Sequence, residues 1–211
     1  MPTRGTEIDA EGLAAAIDAR TRIVTAASVT FTPGFRTDLA TIGRAARRQG
    51  ALFLVDGVQS CGVLELDVER EAIDALVTST SKGLLGLMGL GFIWVREAWL
   101  DRLTPAYVAR TSIATSGHYS EIESVDFRFA PTAERFEVGN PNWVGIAAAA
   151  HAMKEINAVG VSRIEPHALA LAEGLRVGLE ALGLPVQRPS DPRGLSHLVT
   201  IGERSVGRPE R

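Results

Sequence analysis

Ala51-Leu-Phe-Leu-Val55, followed at once by Asp56-Gly-Val-Gln59, is an uninterrupted apolar run that stops at a carboxylate. Such a run lacks polar alternation, so both of its faces are buried, as in a strand of a parallel sheet covered by helices. The carboxylate then stands at the strand's C-terminal end, where open α/β sheets bind ligands. Upstream, Arg22-Ile-Val-Thr-Ala-Ala27 reads as another buried strand and Ser28 to Gly34 as the loop after it. Thr37 reads as the N-cap of a helix over Asp38 to Gln49, which Gly50 stops. Strand, loop, helix and strand in this order make a βαβ unit, which crosses over right-handed between parallel strands. The fold class is therefore α/β with a mostly parallel sheet.

Downstream, a second β-like run, Asp74-Ala-Leu-Val-Thr-Ser79, delivers Thr80-Ser81-Lys82. Two strand ends thus bring an acid and an amine to one crevice. The residues alone leave two readings open. Asp56 and Lys82 can pair with each other, although taking two charges out of water is costly. Alternatively they serve a pyridoxal phosphate site, in which a lysine carries the cofactor as a Schiff base and a carboxylate keeps the pyridine nitrogen protonated. Gln59 can then hydrogen-bond the ring's phenolic oxygen, and the small hydroxyls beside the lysine suit a phosphate.

The ordered series Asp56, Gln59, Asp67-Val68, Asp74, Ser79 and Lys82 resembles the class V aminotransferase and cysteine desulfurase superfamily of fold type I pyridoxal phosphate enzymes. The likeness extends upstream through Gly34-Phe-Arg-Thr-Asp-Leu39. Downstream it runs through Lys82-Gly-Leu-Leu-Gly86, Gly91-Phe-Ile-Trp-Val95 and Arg135-Phe-Glu-Val-Gly-Asn-Pro-Asn142. The resemblance implies pyridoxal 5'-phosphate as cofactor, an amino acid as substrate, and Lys82 as catalytic base and Schiff-base lysine. It assigns Asp56 to the pyridine nitrogen, Gln59 to the phenolic oxygen and Ser79 to the phosphate. Ser81 stands where many members have His, and Gly139-Asn140 where they have Gly-Thr, whose threonine reaches the phosphate of a neighbouring subunit. If Asn140 keeps that role, the active site is shared across a homodimer.

The resemblance further implies that residues 1–158 are part of a large cofactor-binding domain. Residues 159–211 then form a linking helix and the start of a small α+β C-terminal domain. Family members are much longer, so the chain reads as a central portion of such an enzyme, truncated or paired with another chain. An inactive fragment or a non-catalytic assembly subunit that keeps the fold is the alternative. Transamination, epimerisation and β-elimination all stay open. Phe31 replaces an asparagine common in the desulfurases, and the sole thiol, Cys61, lies close behind the cofactor acid in what reads as packed core.

At 211 residues and a net charge of −3, the chain is long enough for a substantial core and implies neither a nucleic-acid nor an anionic-membrane surface. A single cysteine excludes an internal disulfide framework and suits the cytoplasm. No segment reads as a signal peptide or membrane span, because the apolar stretch Gly83 to Val95 is short and broken by glycines. That stretch superficially resembles a dinucleotide fingerprint, but it precedes a strand (Phe92 to Val95) instead of opening a helix.

Short helices are expected over Asp9 to Ala19 and Glu97 to Leu103, and longer ones from about Trp143 to Ala158 and Ser162 to Leu182. Ala106 to Phe136 reads as a surface excursion, Val186 and His197 to Ile201 as strands, and the last ten residues as a poorly ordered tail. The four histidines, His118, His151, His167 and His197, have no metal-ligand spacing. Arg135 and Glu137 read as an ion pair, and Arg36 as a solvated loop charge.

Overall fold

The computed structural model describes residues 3–4, 7–114 and 128–202. Strands β1 (Thr3–Arg4) and β2 (Glu7–Ile8) form a small antiparallel pair. Helix α1 (Ala10–Ala15) follows, shorter than its periodicity suggests, with Asp9 as its cap accepting from the Gly12 N–H at 3.1 Å. The main sheet has four strands in the order β3 (Ile23–Ala27), β4 (Leu52–Asp56), β5 (Ala75–Ser79) and β6 (Gly91–Val95). The pairings β3/β4 and β4/β5 are parallel, and β5/β6 is antiparallel.

The βαβ reading holds, with helix α2 (Leu39–Gln49) between β3 and β4. Leu39, Ile42, Ala45 and Ala46 recur at the three- and four-residue spacing of one helix face, and all are buried against Phe53, Val55 and Ile73. Phe53 and Val55 are fully enclosed, which explains why β4 is apolar up to Asp56 at its end. At Gly43 a Cβ would lie 2.2 Å from the Glu71 carbonyl oxygen, so α2 and the loop before β5 touch backbone to backbone.

The helix cap differs from expectation. Asp38, not Thr37, caps α2, accepting from the Thr41 N–H at 3.1 Å and the Thr41 hydroxyl at 2.7 Å. A carboxylate at this position also meets the positive end of the helix dipole. Thr37 is buried and donates its N–H to the Ser28 carbonyl at 2.9 Å, closing the loop that follows β3. Gly50, at φ 67°, ends the helix in the left-handed region as its sequence position suggests.

After β6 come α3 (Glu97–Leu100), α4 (Trp143–Val159) and α5 (Val161–Ala181). No helix among the described residues is long and apolar enough to cross a membrane. Arg135 does not pair with Glu137. It is buried and donates to the carbonyls of Ala130 (2.8 Å) and Leu100, with Asp101 at 3.4 Å, so it ties a short 3-10 turn to the end of α3. The surface excursion includes residues 115–127, with His118, and the C-terminal tail includes 203–211; both stretches lie outside the described residues.

The segment beyond α5 folds back on the loop after β3. Where strands are expected, Val186 and Ile201 form only an isolated antiparallel bridge. Arg176 of α5, almost fully buried, holds the segment by donating to the carbonyls of Ser196 (2.6 Å) and Leu198 (2.8 Å). Arg36 is not a solvated charge either. It donates to the Glu165 carboxylate (2.6 Å) on α5 and to the Glu65 carbonyl (3.0 Å), while the Glu65 N–H donates back to Glu165 at 2.5 Å.

Burial pushes the Glu165 carboxyl up, but the Arg36 guanidinium and the Glu65 N–H outweigh it, leaving it below the usual 4.5. As pH falls, the unfolded chain therefore takes the proton first, so the clamp contributes fully above pH 4.5 and is lost as pH falls through the lower folded value. Thermal melts on either side of that pH should show a steeper loss for the wild-type chain than for Glu165→Gln. Equal slopes would contradict the clamp.

Candidate functional site

Asp56 closes β4, opposite Ala27 of β3 on one side and Val77 of β5 on the other. Ser79, two residues beyond Val77, closes β5, so Ser79, Ser81 and Lys82 leave the sheet at the same edge as Asp56. Adjacent strands lie about 4.8 Å apart, which makes the two exits neighbours. Asp56 and Lys82 are both exposed. Among the described residues no ion pair joins them, and none of the hydrogen bonds there reaches the Lys82 ammonium. The simple structural ion pair is thus not what this arrangement uses.

The two loops that leave these strands are locked together by glycines. Gly62, at φ +88°, sits where a Cβ would lie 2.4 Å from the Gly83 carbonyl oxygen. A Cβ on Gly83 would in turn meet the Cys61 carbonyl at 2.6 Å. Neither contact admits a side chain, so the residue after Lys82 rests directly on the backbone that follows Asp56 and Gln59. Gln59 is half-buried within this loop. Beneath it, Ser28 donates through its N–H and hydroxyl to the Asp56 carbonyl, each at 2.9 Å, and its hydroxyl lies 2.6 Å from that of Ser60. These two buried serines were not anticipated from the sequence, where small hydroxyl residues in loops carry no distinguishing signal.

One Asp56 oxygen accepts from the Val58 N–H at 2.8 Å, which fixes the carboxylate's orientation and leaves its second oxygen for a ligand. Ser79 and Ser81 place their hydroxyls 2.8 Å apart, and the Ser81 N–H also points at Ser79 Oγ (3.3 Å), so one half-buried corner gathers several donors. An oriented carboxylate, an unpaired amine held on a glycine contact and a hydroxyl-lined corner fit a pyridine ring that bears an aldehyde and a phosphate.

The glycine-rich turn after Lys82 is organised by Thr80, which is buried. Its hydroxyl donates to the carbonyls of Leu87 (2.9 Å) and Leu90 (3.1 Å), and its own carbonyl accepts from the Gly86 N–H at 2.7 Å. The turn runs into β6 and opens no helix, so it offers no phosphate-binding helix N-terminus and the dinucleotide reading fails. Asn140 is exposed and lines, with Thr80, a cavity of about 830 Å³ between β6 and α4 whose walls do not include Asp56 or Lys82.

Cys61 is half-buried, and burial pushes its thiol up from 9.0. A thiol held in that state is a poor nucleophile, in keeping with a packing role against Gly57 and Leu76. Trp94 packs against the core and Trp99 lies under the Arg102 guanidinium at 3.7 Å, while Trp143 is exposed. No group of acids, histidines and cysteine that could hold a metal occurs among the described residues.

A family model described as Aminotransferase class-V matches residues 2–205. The uncharacterized aminotransferase YcbU of Bacillus subtilis (strain 168) is 33% identical over 139 residues, which are 66% of this chain and 35% of that protein. Among solved structures, the apo cysteine desulfurase of Thermococcus onnurineus NA1 superimposes with a TM-score of 0.80 at 26% identity, over 94% of this chain and 48% of that one. A variant of the lyase C-DES, with glycine covalently linked to its pyridoxal phosphate cofactor, gives 0.77 at 25% identity over 88% of this chain and 48% of that one. The chain thus spans about a third of the curated relative and half of the solved chains.

Proposed function

The chain belongs to the class-V aminotransferase family, whose members depend on pyridoxal 5'-phosphate, and from that premise we propose that it binds this cofactor between Asp56 and Lys82 to act on an amino acid. The observation that carries the reading is the pair of aligned strand ends, with acid and amine unpaired and their loops in glycine contact. When bound, the cofactor supplies an electron-withdrawing ring that stabilises negative charge at the substrate's α-carbon.

Each residue then has a task. Asp56 holds a proton at the pyridine nitrogen, and Gln59 donates from its amide to the phenolic oxygen. Ser79 and Ser81 donate to the phosphate. Lys82 would hold the cofactor through its amine and would serve as the base that moves a proton at the substrate's α-carbon. Transamination, epimerisation and β-elimination share these steps. A persulfide on Cys61 does not fit a thiol pushed upward by burial.

We further propose a cytoplasmic homodimer in which Asn140 reaches the neighbouring subunit's cofactor. Val138, Trp143 and Val144 flank it at 70%, 71% and 73% exposure, an apolar surface suited to a second copy. On the same reading residues 1–158 belong to the large cofactor domain, and 159–211 lead into a smaller one.

Titration of the purified chain with pyridoxal phosphate tests the binding claim. A visible absorbance band that persists through dialysis is expected. Asp56→Ala should weaken retention at least about tenfold, since it removes a charge-assisted hydrogen bond worth about 1.5 to 3 kcal/mol. A folded chain with no band would favour the non-catalytic alternative.

A further inference from the structure

Two hydroxyls are buried beneath the loop that carries Asp56 and Gln59, and packing alone gives no reason for either. Ser28 directly follows β3 and Ser60 lies 32 residues on, in the loop after β4; each is 2% exposed. A hydroxyl taken out of water costs free energy unless it is hydrogen-bonded, a cost that alanine at the same place does not carry. These two meet each other. Ser28 Oγ lies 2.6 Å from Ser60 Oγ and 2.9 Å from the Asp56 carbonyl, and Ser60 Oγ lies 3.3 Å from the Gly57 carbonyl. Two hydroxyls have two protons for these three oxygen contacts, and the longest is the one left without a proton. Ser60 therefore donates to Ser28 and Ser28 donates to Asp56, a chain whose bonds polarise one another.

The chain ends on the peptide unit that decides where the carboxylate stands. The Asp56 carbonyl accepts both the N–H and the hydroxyl of Ser28, and on the other side of the same peptide the Gly57 N–H donates to the Val77 carbonyl of β5 at 2.8 Å. Ser28 is itself fixed, because its carbonyl accepts the Thr37 N–H at 2.9 Å just before α2. The backbone of Asp56 is thus clamped from both neighbouring strands, and the Val58 N–H at 2.8 Å then sets the direction of the side chain. Neither serine bonds the carboxylate, so both act on it only through the backbone.

We infer that Ser28 and, through it, Ser60 are positioning residues, whose hydroxyl chain holds the Asp56–Gly57 peptide so that the free carboxylate oxygen stays aimed at the ring nitrogen of the cofactor. This inference rests on the cofactor reading given above. Removing the first hydroxyl strands no buried group. In Ser28→Ala the Asp56 carbonyl keeps the backbone N–H of position 28, and the Ser60 hydroxyl turns to the Gly57 carbonyl.

The test compares two probes by equilibrium dialysis, pyridoxal phosphate and its deaza analogue, in which C–H replaces the ring nitrogen. The wild-type chain should hold pyridoxal phosphate more tightly, because the analogue gives Asp56 no N–H to accept. Ser28→Ala should weaken pyridoxal phosphate about fivefold, the size of one ordinary hydrogen bond, and the analogue by less than about twofold. Ser60→Ala should lower the same preference, and adding it to Ser28→Ala should lower it no further, since Ser60 acts only through Ser28. Equal weakening of both probes in Ser28→Ala would give the serine a merely structural role and overturn the inference. So would no change with either probe, or a wild-type chain that holds the two alike; each of these leaves cofactor binding standing. If Ser28→Ala does not melt cooperatively, Ser60→Ala is judged by the same criteria. A wild-type chain that does not bind pyridoxal phosphate overturns the cofactor reading and this inference together.

Discussion

Lys82→Ala is expected to abolish covalent retention of pyridoxal phosphate while leaving the fold intact. The side chain is exposed and makes none of the hydrogen bonds or ion pairs found among the described residues, so its removal frees no buried group. A change of this kind at the surface shifts stability by no more than about 0.5 kcal/mol. The cofactor, by contrast, loses the one bond that survives dilution. Gel filtration after loading should therefore return a coloured wild-type chain and a colourless variant, while the two cofactor-free chains melt at the same temperature. A variant that keeps its colour through the column would contradict the assignment.

Asp74→Ala is expected to do the reverse, damaging the fold severely without touching the ligand edge. Asp74 opens the β5 segment and is 4% exposed. One of its oxygens accepts from the Phe53 N–H at 3.1 Å and the other from Arg96 Nε at 3.2 Å. Arg96 also donates to the carbonyls of Ile73 (2.8 Å) and Val68 (3.2 Å), so the carboxylate is the acid at the centre of a network joining β4, β5 and the end of β6. Truncation leaves the core Phe53 N–H without its acceptor and takes from the Arg96 guanidinium its buried carboxylate, leaving the exposed Glu69 at 2.6 Å as its acidic partner. Breaking such a pair costs about 3 to 5 kcal/mol. Urea denaturation of the variant should show the midpoint falling accordingly, and a loss below about 1 kcal/mol would mean that water replaces the carboxylate freely.

How far this could be read in advance depends on the range of the interaction. The strand ending at Asp56 was legible because a doubly covered strand must be apolar at every position, and Phe53 and Val55 are fully buried as that requires. Gly50 was legible because its left-handed φ is a local demand. The cap of α2 was misplaced by one residue, since Thr37 and Asp38 are both capping types. What separates them is the bond from Thr37 to Ser28, nine positions back along the chain. Arg36 and Arg135 were misread because their partners are remote, Glu165 lying 129 residues from Arg36 and the Leu100 carbonyl 35 from Arg135. At the candidate site, acid, amide, hydroxyls and amine were visible as residue types at a spacing. The contact between Gly62 and Gly83 that holds their loops together was not, because neither glycine announces which backbone it admits.

Two lysines occur in the sequence, Lys82 at the ligand edge and Lys154 on the exposed surface of α4, and this makes one measurement decisive. The chain is loaded with pyridoxal phosphate, reduced with borohydride to fix any lysine adduct, digested and mapped by mass spectrometry. The reduced cofactor should be found on the peptide containing Lys82 and not on that containing Lys154. Equal labelling of the two peptides, or labelling of Lys154 alone, would show that the edge formed by Asp56, Ser79 and Lys82 is not a cofactor site.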